Sequence, residues 1–242
     1  MRAYWACESV LAPGLRYGQA VFEDVLRDAV VPGCRWLDIG CGHRVLPPWR
    51  EQQERSLIAV AGQVIGVDAD LPSLLAHRSI EQRVLASITD LPVADEAFDL
   101  VSANMVVEHL QDPVREFREI RRVLRPGGRF LFHTPNALGY PTVAARLVPE
   151  FLKRPLARML DGRPGGDVFP ARYRANTAAT IRRLAAECGL EVEKILPVAT
   201  TAQFVVILPV ALLELLWIRL LMTRGMASLR QALIVTLRKP AA

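Results

Sequence analysis

Apolar and polar positions follow two rhythms along this chain. Short apolar runs, several of them closed by an acid or a glycine, mark strands at about 35–40, 64–68, 83–87, 98–103, 129–133, 190–196 and 232–237. Between them lie stretches with apolar residues three and four apart, the spacing a helix needs to bury one face. Residues 8–30 have that spacing and stop before Pro32-Gly33. A helix over 49–61 follows Pro47-Pro48, and Pro72 suits the first turn of a helix to about 78. The clearest amphipathic stretch is Val114–Leu124, opened by Asp112-Pro113, with Val114, Phe117, Ile120, Val123 and Leu124 on one stripe. Arg125-Pro126-Gly127-Gly128 breaks it. Over 178–188 a further helix has Asn176 or Thr177 as its cap and Gly189 as its stop. Strands alternating with helices in this way predict an α/β fold with a parallel sheet and helices on both faces.

Two regions depart from the alternation. From Thr134 to Pro170 the pattern loosens, and Gly162, Pro164, Gly165 and Gly166 mark a flexible loop suited to a substrate lid. Residues 204–222 are nearly all apolar and almost long enough to cross a bilayer, but Pro209, Glu214 and Arg219 interrupt them. Lying between the sixth and seventh strands, a single span there would leave both strands on one side of a membrane. Three fates stay open: a buried helix, a subunit contact in a homodimer, or a peripheral helix in the membrane interface. In the last, Arg219, Arg224 and Arg230 would lie near lipid headgroups.

Composition narrows the picture. The 242 residues suit one domain carrying a helical cap at 1–31, a lid-like insertion at 138–175 and an apolar helical insertion at 200–230. With 51% apolar and 23% charged residues, global disorder is excluded. The formal charge of +5 comes mostly from arginines on helix-like stretches, which fits solvated faces or attraction to anionic lipid or an acidic substrate. No basic run is interleaved with aromatics, so nucleic acid is not an expected partner. Cys7, Cys34, Cys41 and Cys188 form no C-x-x-C pair, which argues against a zinc site and a disulfide framework. A cytoplasmic protein is expected, associated if at all with the inner face of a membrane. The N-terminus has neither a basic start nor a continuous apolar segment, so no signal peptide is expected.

The candidate chemistry begins at Trp36-Leu-Asp38-Ile-Gly40-Cys41-Gly42, where a strand ends and turns sharply through backbone bare enough to lie against a ligand. A second strand, Val64-Ile65-Gly66-Val67, ends in Asp68, whose carboxylate could accept both hydroxyls of a ribose. A dinucleotide fingerprint wants a third glycine three positions after Gly42; Val45 stands there, so the loop is not built for pyrophosphate. A nicotinamide-dependent reductase is therefore the rival reading.

Leu-Asp-Ile-Gly-Cys-Gly, Val-Ile-Gly-Val-Asp, Asp-Leu-Pro before Phe-Asp-Leu-Val, and Leu-Arg-Pro-Gly-Gly occur in order over residues 33–137, with a fainter match at 170–198. In this series the chain resembles a class I S-adenosylmethionine-dependent methyltransferase of the small-molecule type. Val-Glu108-His109-Leu and Thr134-Pro135-Asn136 make it most similar to the ubiquinone-pathway O-methyltransferase group. The resemblance implies a doubly wound, seven-stranded, mostly parallel Rossmann-like sheet, with five parallel strands and a hairpin-like final pair. It also implies S-adenosyl-L-methionine as cofactor and a small-molecule or lipid-linked acceptor methylated at oxygen. Carried over, it places Asp38, Gly40, Cys41 and Gly42 around the methionine moiety, and Asp68 with Ala69 at the ribose. Ser87 and Ile88 would border the adenine, and Ala103 and Asn104 the sulfonium. His109 is the first candidate for a base and His133 the second. Tyr17, Tyr140 and Tyr173 could line the acceptor pocket.

Three positions depart from the family pattern. Arg44 replaces a third glycine, and Ser87 stands where many relatives carry an acid for the adenine amino group, nearby Asp90 reading as a loop carboxylate. Met105 takes the first place of a Glu-x-x-Glu-His metal set, which argues against a metal. Arg44 and Ser87 keep open a membrane-associated nucleoside-binding protein without turnover.

Overall fold

The computed structural model describes residues 2–147, 170–205 and 208–241. One sheet contains β1 (Arg35–Ile39), β2 (Gln63–Asp68), β3 (Gln82–Leu85), β4 (Phe98–Asn104), β5 (Leu124–Pro135), β6 (Glu191–Val198) and β7 (Ala232–Arg238). Their order across the sheet is β3-β2-β1-β4-β5-β7-β6. Strands β1 to β5 run parallel, and β7 is antiparallel to both β5 and β6. The doubly wound, seven-stranded sheet expected from the sequence is present. Its final antiparallel pair is arranged with β7 wedged between β5 and β6.

Period-two alternation divides the core between two faces. Leu37 and Ile39 pack on the face that also buries Phe117, Ile120, Phe130, Phe132 and Ile181. Trp36 packs on the other face with Phe22, Leu26, Leu57 and Leu74. Helices α5 (Pro113–Val123) and α7 (Ala178–Glu187) cover the first face. Helices α2 (Gly18–Ala29), α3 (Glu51–Val60) and α4 (Leu71–Ala76) cover the second. Of the stripe read from the sequence, Phe117, Ile120 and Val123 form the buried face of α5, Val114 is half-buried, and Leu124 already begins β5. Phe117 meets Phe130 edge-on at 5.7 Å. Asp112 caps that helix by accepting from the Arg115 amide at 3.3 Å. Thr177 caps α7, accepting from the Thr180 amide at 3.1 Å, which leaves Asn176 for other work.

Three expectations need correction. Residues 8–30 are not one helical run: α1 (Arg2–Leu11) and α2 are separated at Pro13-Gly14, where Gly14 sits at φ +80°, a conformation no helix continues. Pro126-Gly127-Gly128 does not delay the fifth strand. It forms a bulge inside β5, and the pairing with β4 steps from Phe98–Leu124 to Leu100–Arg129. The Gly127 amide donates to the Lys239 carbonyl and the Lys239 amide to the Gly128 carbonyl, each at 2.9 Å, so the bulge is held from beyond β7. The loosened stretch after Thr134 contains a helix, α6 (Tyr140–Leu147). The lid glycines Gly162, Gly165 and Gly166, with Pro164, lie outside the described residues.

The apolar segment forms α8 (Leu208–Leu221), packed on α1 through Tyr4, Ala211 and Leu215. Among the described residues, no helix is long and apolar enough to cross a membrane.

Candidate functional site

In the parallel part of the sheet the strand order reverses between β1 and β4, and open α/β sheets bind ligands in the crevice at the carboxyl ends of such strands. The β1 end fills that crevice with bare backbone. Gly40 and Gly42 sit at φ +65° and +53°. The Gly40 and Cys41 amides donate to the Val67 carbonyl at 2.7 and 3.1 Å, which turns the loop over the end of β2. A Cβ on Gly40 would stand 2.3 Å from Val106 Cγ2, so loop and β4 end touch only because this side chain is missing. Cys41 turns inward, its sulfur where a Cβ on Gly66 would come within 2.8 Å. Its work is packing, and burial pushes its thiol well above the usual range. A Cβ on Gly42 would meet nothing, and His43 and Arg44 beyond it are exposed.

Acids surround this loop. Asp68 Oδ2 accepts from the Gly42 amide and Oδ1 from the Asp70 amide, each at 2.8 Å. Asp68 remains half-exposed beside exposed Ala69, with a lone pair on each oxygen for a diol. Asp38 is buried in register with Ser102, whose hydroxyl donates to it and accepts from Trp36 Nε1 at 2.7 Å. Burial pushes the Asp38 carboxyl up to about 7; the nearby charges of Glu54 and Asp68 add to this and the Ser102 hydrogen bond opposes it. Glu54, buried on α3, accepts from the Leu46 amide at 2.8 Å through Oε2, while its Oε1 has no partner. Among the described residues, no lysine or arginine forms an ion pair with Asp38, Glu54 or Asp68. Three acids without an opposing cation fit a positively charged nucleoside, and Glu54 Oε1 is an acceptor still to be satisfied.

On the neighbouring edge, Ser87 is exposed and its hydroxyl lies 2.8 Å from that of Thr89. The Asp90 amide closes the turn onto the Ser87 carbonyl at 3.1 Å. Ile88 is half-buried against the core beneath.

The two candidate bases have different settings. Asn104 and His133 stand in register at the ends of β4 and β5, with His133 Nδ1 3.0 Å from Asn104 Oδ1. An amide oxygen only accepts, so Nδ1 carries the proton and Nε2 the lone pair. That Nε2 faces the start of α2, 3.6 Å from where a Cβ on Gly18 would be, and the ring stacks on Phe22 at 5.7 Å. Burial pushes His133 down to about 4, so it is neutral at pH 7. Ala103, one residue before Asn104, is fully buried.

His109 occupies a short 3-10 turn, Val107–His109, and is half-buried. Its Nδ1 lies 3.3 Å from the Pro170 carbonyl and its Nε2 3.9 Å from Glu108 Oε1. Burial raises the Glu108 carboxyl, whose Oε2 accepts from Thr134 Oγ1 at 3.0 Å. Thr134 in turn accepts from Asn176 Nδ2 at 2.6 Å. The chain of bonds therefore runs from Asn176 through Thr134 to Glu108, beside His109.

The other expected residues scatter. Met105 holds φ +59° at the β4 end with an exposed side chain. Tyr17 is exposed before α2, Tyr140 donates to Glu214, and the Tyr173 amide donates to the Glu108 carbonyl at 3.0 Å. Sequence reasoning missed Glu54, Ser102, Glu108, Thr134 and Asn176 as site residues. Ser102 carried a signal, a polar residue inside an apolar strand; Asn176 carried another, standing beside a cap it does not serve.

Residues 37–132 match the family model described as a methyltransferase domain. Over 168 residues the chain is 33% identical to a probable S-adenosylmethionine-dependent methyltransferase of Mycolicibacterium smegmatis, covering 67% of this chain and 54% of that one. It is 28% identical over 164 residues to the ubiquinone biosynthesis O-methyltransferase of Hahella chejuensis, covering 62% of this chain and 66% of that one. Among solved structures, an S-adenosylmethionine-dependent methyltransferase from Mesorhizobium loti matches with a TM-score of 0.54 at 21% identity, over 89% of this chain and 96% of the other. At that identity the likeness speaks for the fold. The chain spans 34% to 54% of the length of the first curated relatives it matches.

Proposed function

We propose that this chain, a class I S-adenosylmethionine-dependent methyltransferase domain over residues 37–132, methylates a small-molecule or lipid-linked acceptor at oxygen. The observation that carries this reading is the set of Asp38, Glu54 and Asp68, ion-paired to no lysine or arginine among the described residues, around a glycine turn at the point where the strand order reverses. When bound, S-adenosyl-L-methionine supplies a methyl group already activated by a sulfonium. The protein's task is then alignment, charge complementarity and exclusion of water. Asp68 accepts the ribose hydroxyls, Ile88 and Ser87 flank the adenine, and Asp38 with Glu54 offers negative charge to the methionine end. The Hahella relative is named for O-methyl transfer, which supports oxygen as the acceptor atom. Buried Cys34, Cys41 and Cys188 are unpaired, which suits a reducing cytoplasm as the proposed location.

His109 is the better placed base. It stands at the end of the turn that follows β4, and its Nδ1 lies 3.3 Å from the Pro170 carbonyl. The Glu108 carboxyl, 3.9 Å from Nε2, would stabilise the imidazolium formed by taking the acceptor's proton. His133 is shut beneath α2 and holds a proton weakly; its role is to fix Asn104.

Calorimetry with S-adenosylhomocysteine and, separately, NAD tests the cofactor: heat with the first and none with the second is expected. The reverse result would establish the reductase. His109→Ala is expected to lower turnover by about a hundredfold or more while affinity for S-adenosylhomocysteine stays within twofold to threefold, about the spread of such measurements. An unchanged rate removes His109 from the mechanism. Binding without turnover across a panel of acceptors would favour the non-catalytic binding protein.

A further inference from the structure

We infer that α8 docks this protein on an anionic lipid surface through a stripe formed by Val210, Leu213, Leu216, Trp217 and Leu220. The helix is apolar on both sides. Ala211, Leu215, Ile218 and Leu221 are buried, the first two against Tyr4 of α1. At 3.6 residues per turn the five stripe residues fall on the opposite side, and all five are exposed, Leu213 by 68% and Trp217 by 38%. A helix apolar all round is normally covered all round. Among the described residues, this one is covered on one side only.

Charge identifies what covers the other side. Glu214 is the single acid in residues 199–231, and it is turned inward. It accepts from the Tyr140 hydroxyl and from the Gln203 and Phe204 amides, the latter two at 2.7 and 2.9 Å. Arg219 and Arg224 are exposed. The outward surface of the segment therefore carries apolar side chains and positive charge with no acid among them. A second copy of this segment would bring no outward acid to pair with these arginines. An anionic bilayer offers hydrocarbon for the stripe, phosphates for the arginines, and the interfacial depth that tryptophan favours. A stripe of about 16 Å is too short to cross, so the helix lies flat. Glu214 ties α8 to Tyr140 at the start of α6, which follows β5, so the docked surface is bonded to the element that leaves the carboxyl end of that strand. That use of the surface, though not lipid binding itself, rests on the proposed methyl transfer to an apolar or lipid-linked acceptor.

The test is flotation of the full chain with phosphatidylcholine vesicles, with and without phosphatidylglycerol, alongside light scattering and calorimetry with S-adenosylhomocysteine. The protein is expected to float with the phosphatidylglycerol vesicles and much less with phosphatidylcholine alone. Leu213→Glu/Trp217→Glu, two substitutions at exposed positions, is expected to cut flotation about tenfold or more while leaving cofactor affinity unchanged. Absence of flotation overturns the inference, as does equal flotation of the double variant. A wild-type dimer that the double variant dissolves, with no lipid binding, would overturn it in favour of a second copy. Retained S-adenosylhomocysteine binding in any of these outcomes leaves the proposed function standing.

Discussion

Glu214 and Asp38 are buried carboxylates in opposite halves of the molecule, and the chain treats them differently. On the β5–β7–β6 side, Glu214 receives one hydroxyl and two amides. Asn136 there is equally complete, donating to the Ser228 and Arg230 carbonyls at 2.8 Å each and accepting from the Leu138 amide. On the β2–β1–β4 side, Asp38 receives one hydroxyl, and Glu54 keeps an oxygen without a partner. Buried polar groups are normally satisfied, so those the chain satisfies itself build the scaffold and those it leaves short await a ligand. Both halves contain buried acids; among the described residues, it is the β2–β1–β4 side that leaves a carboxylate oxygen without a partner.

The largest expected effect comes from closing the bare turn. Gly40→Ala would place a Cβ 2.3 Å from the stiff Val106 side chain at φ +65°, and binding of S-adenosylhomocysteine is expected to fall more than about a hundredfold. A loss under threefold would show that this contact does not shape the loop. Next comes a crossed pair. Asp68→Asn should weaken S-adenosylhomocysteine binding by about ten- to a hundredfold, the worth of a charged hydrogen bond, with little change in Tm. Glu214→Gln should do the opposite, costing about 1–3 kcal/mol of stability in denaturant titrations with affinity unchanged. If both variants lose affinity alike, the distinction between the two halves fails.

The smallest effects concern pH, and their signs oppose. His133 is pushed down to about 4, so its contribution is present above about 6.5 and lost as pH falls through 4. Asp38 is pushed up to about 7, so its ionisation costs stability as pH rises from about 4 to 7. Across pH 4–7, thermal melts of His133→Gln should be less acid-sensitive than wild type, and those of Asp38→Asn more so. Equal slopes in the three proteins would place both groups in ordinary solvent.

Much of the cofactor half was legible because its signals are local. β1, β2 and β4 are apolar runs whose ends carry Asp38, Asp68 and Asn104, and the glycines at 40 and 42 announce the turn between the first two. The other half depends on partners far apart in sequence. Asn136 is answered by carbonyls more than ninety positions away, and Glu214 by Tyr140 seventy-four positions before it. The β5 bulge hid for a similar reason: Pro-Gly-Gly resembles a terminator until Lys239 is seen bonding across it. α6 opens with Tyr140-Pro141 straight after a glycine, so its start has the composition of a turn. Glu108 and Thr134 were in view as motif letters, but their bond joins a loop to a strand, and no spacing rule reports it.

The wedged strand has a consequence for how the chain assembles. β6 precedes β7 in the chain, yet among the described residues its one neighbour in the sheet is β7. Residues 191–198 therefore have no template while they emerge, and must wait more than thirty residues, including the apolar α8, for 232–238 to arrive and bridge them to β5. During that interval the growing polypeptide exposes two unpaired strand borders beside its greasiest helix. Any failure in biosynthesis is expected there, as aggregates seeded by the late-completing edge rather than by the nucleotide half.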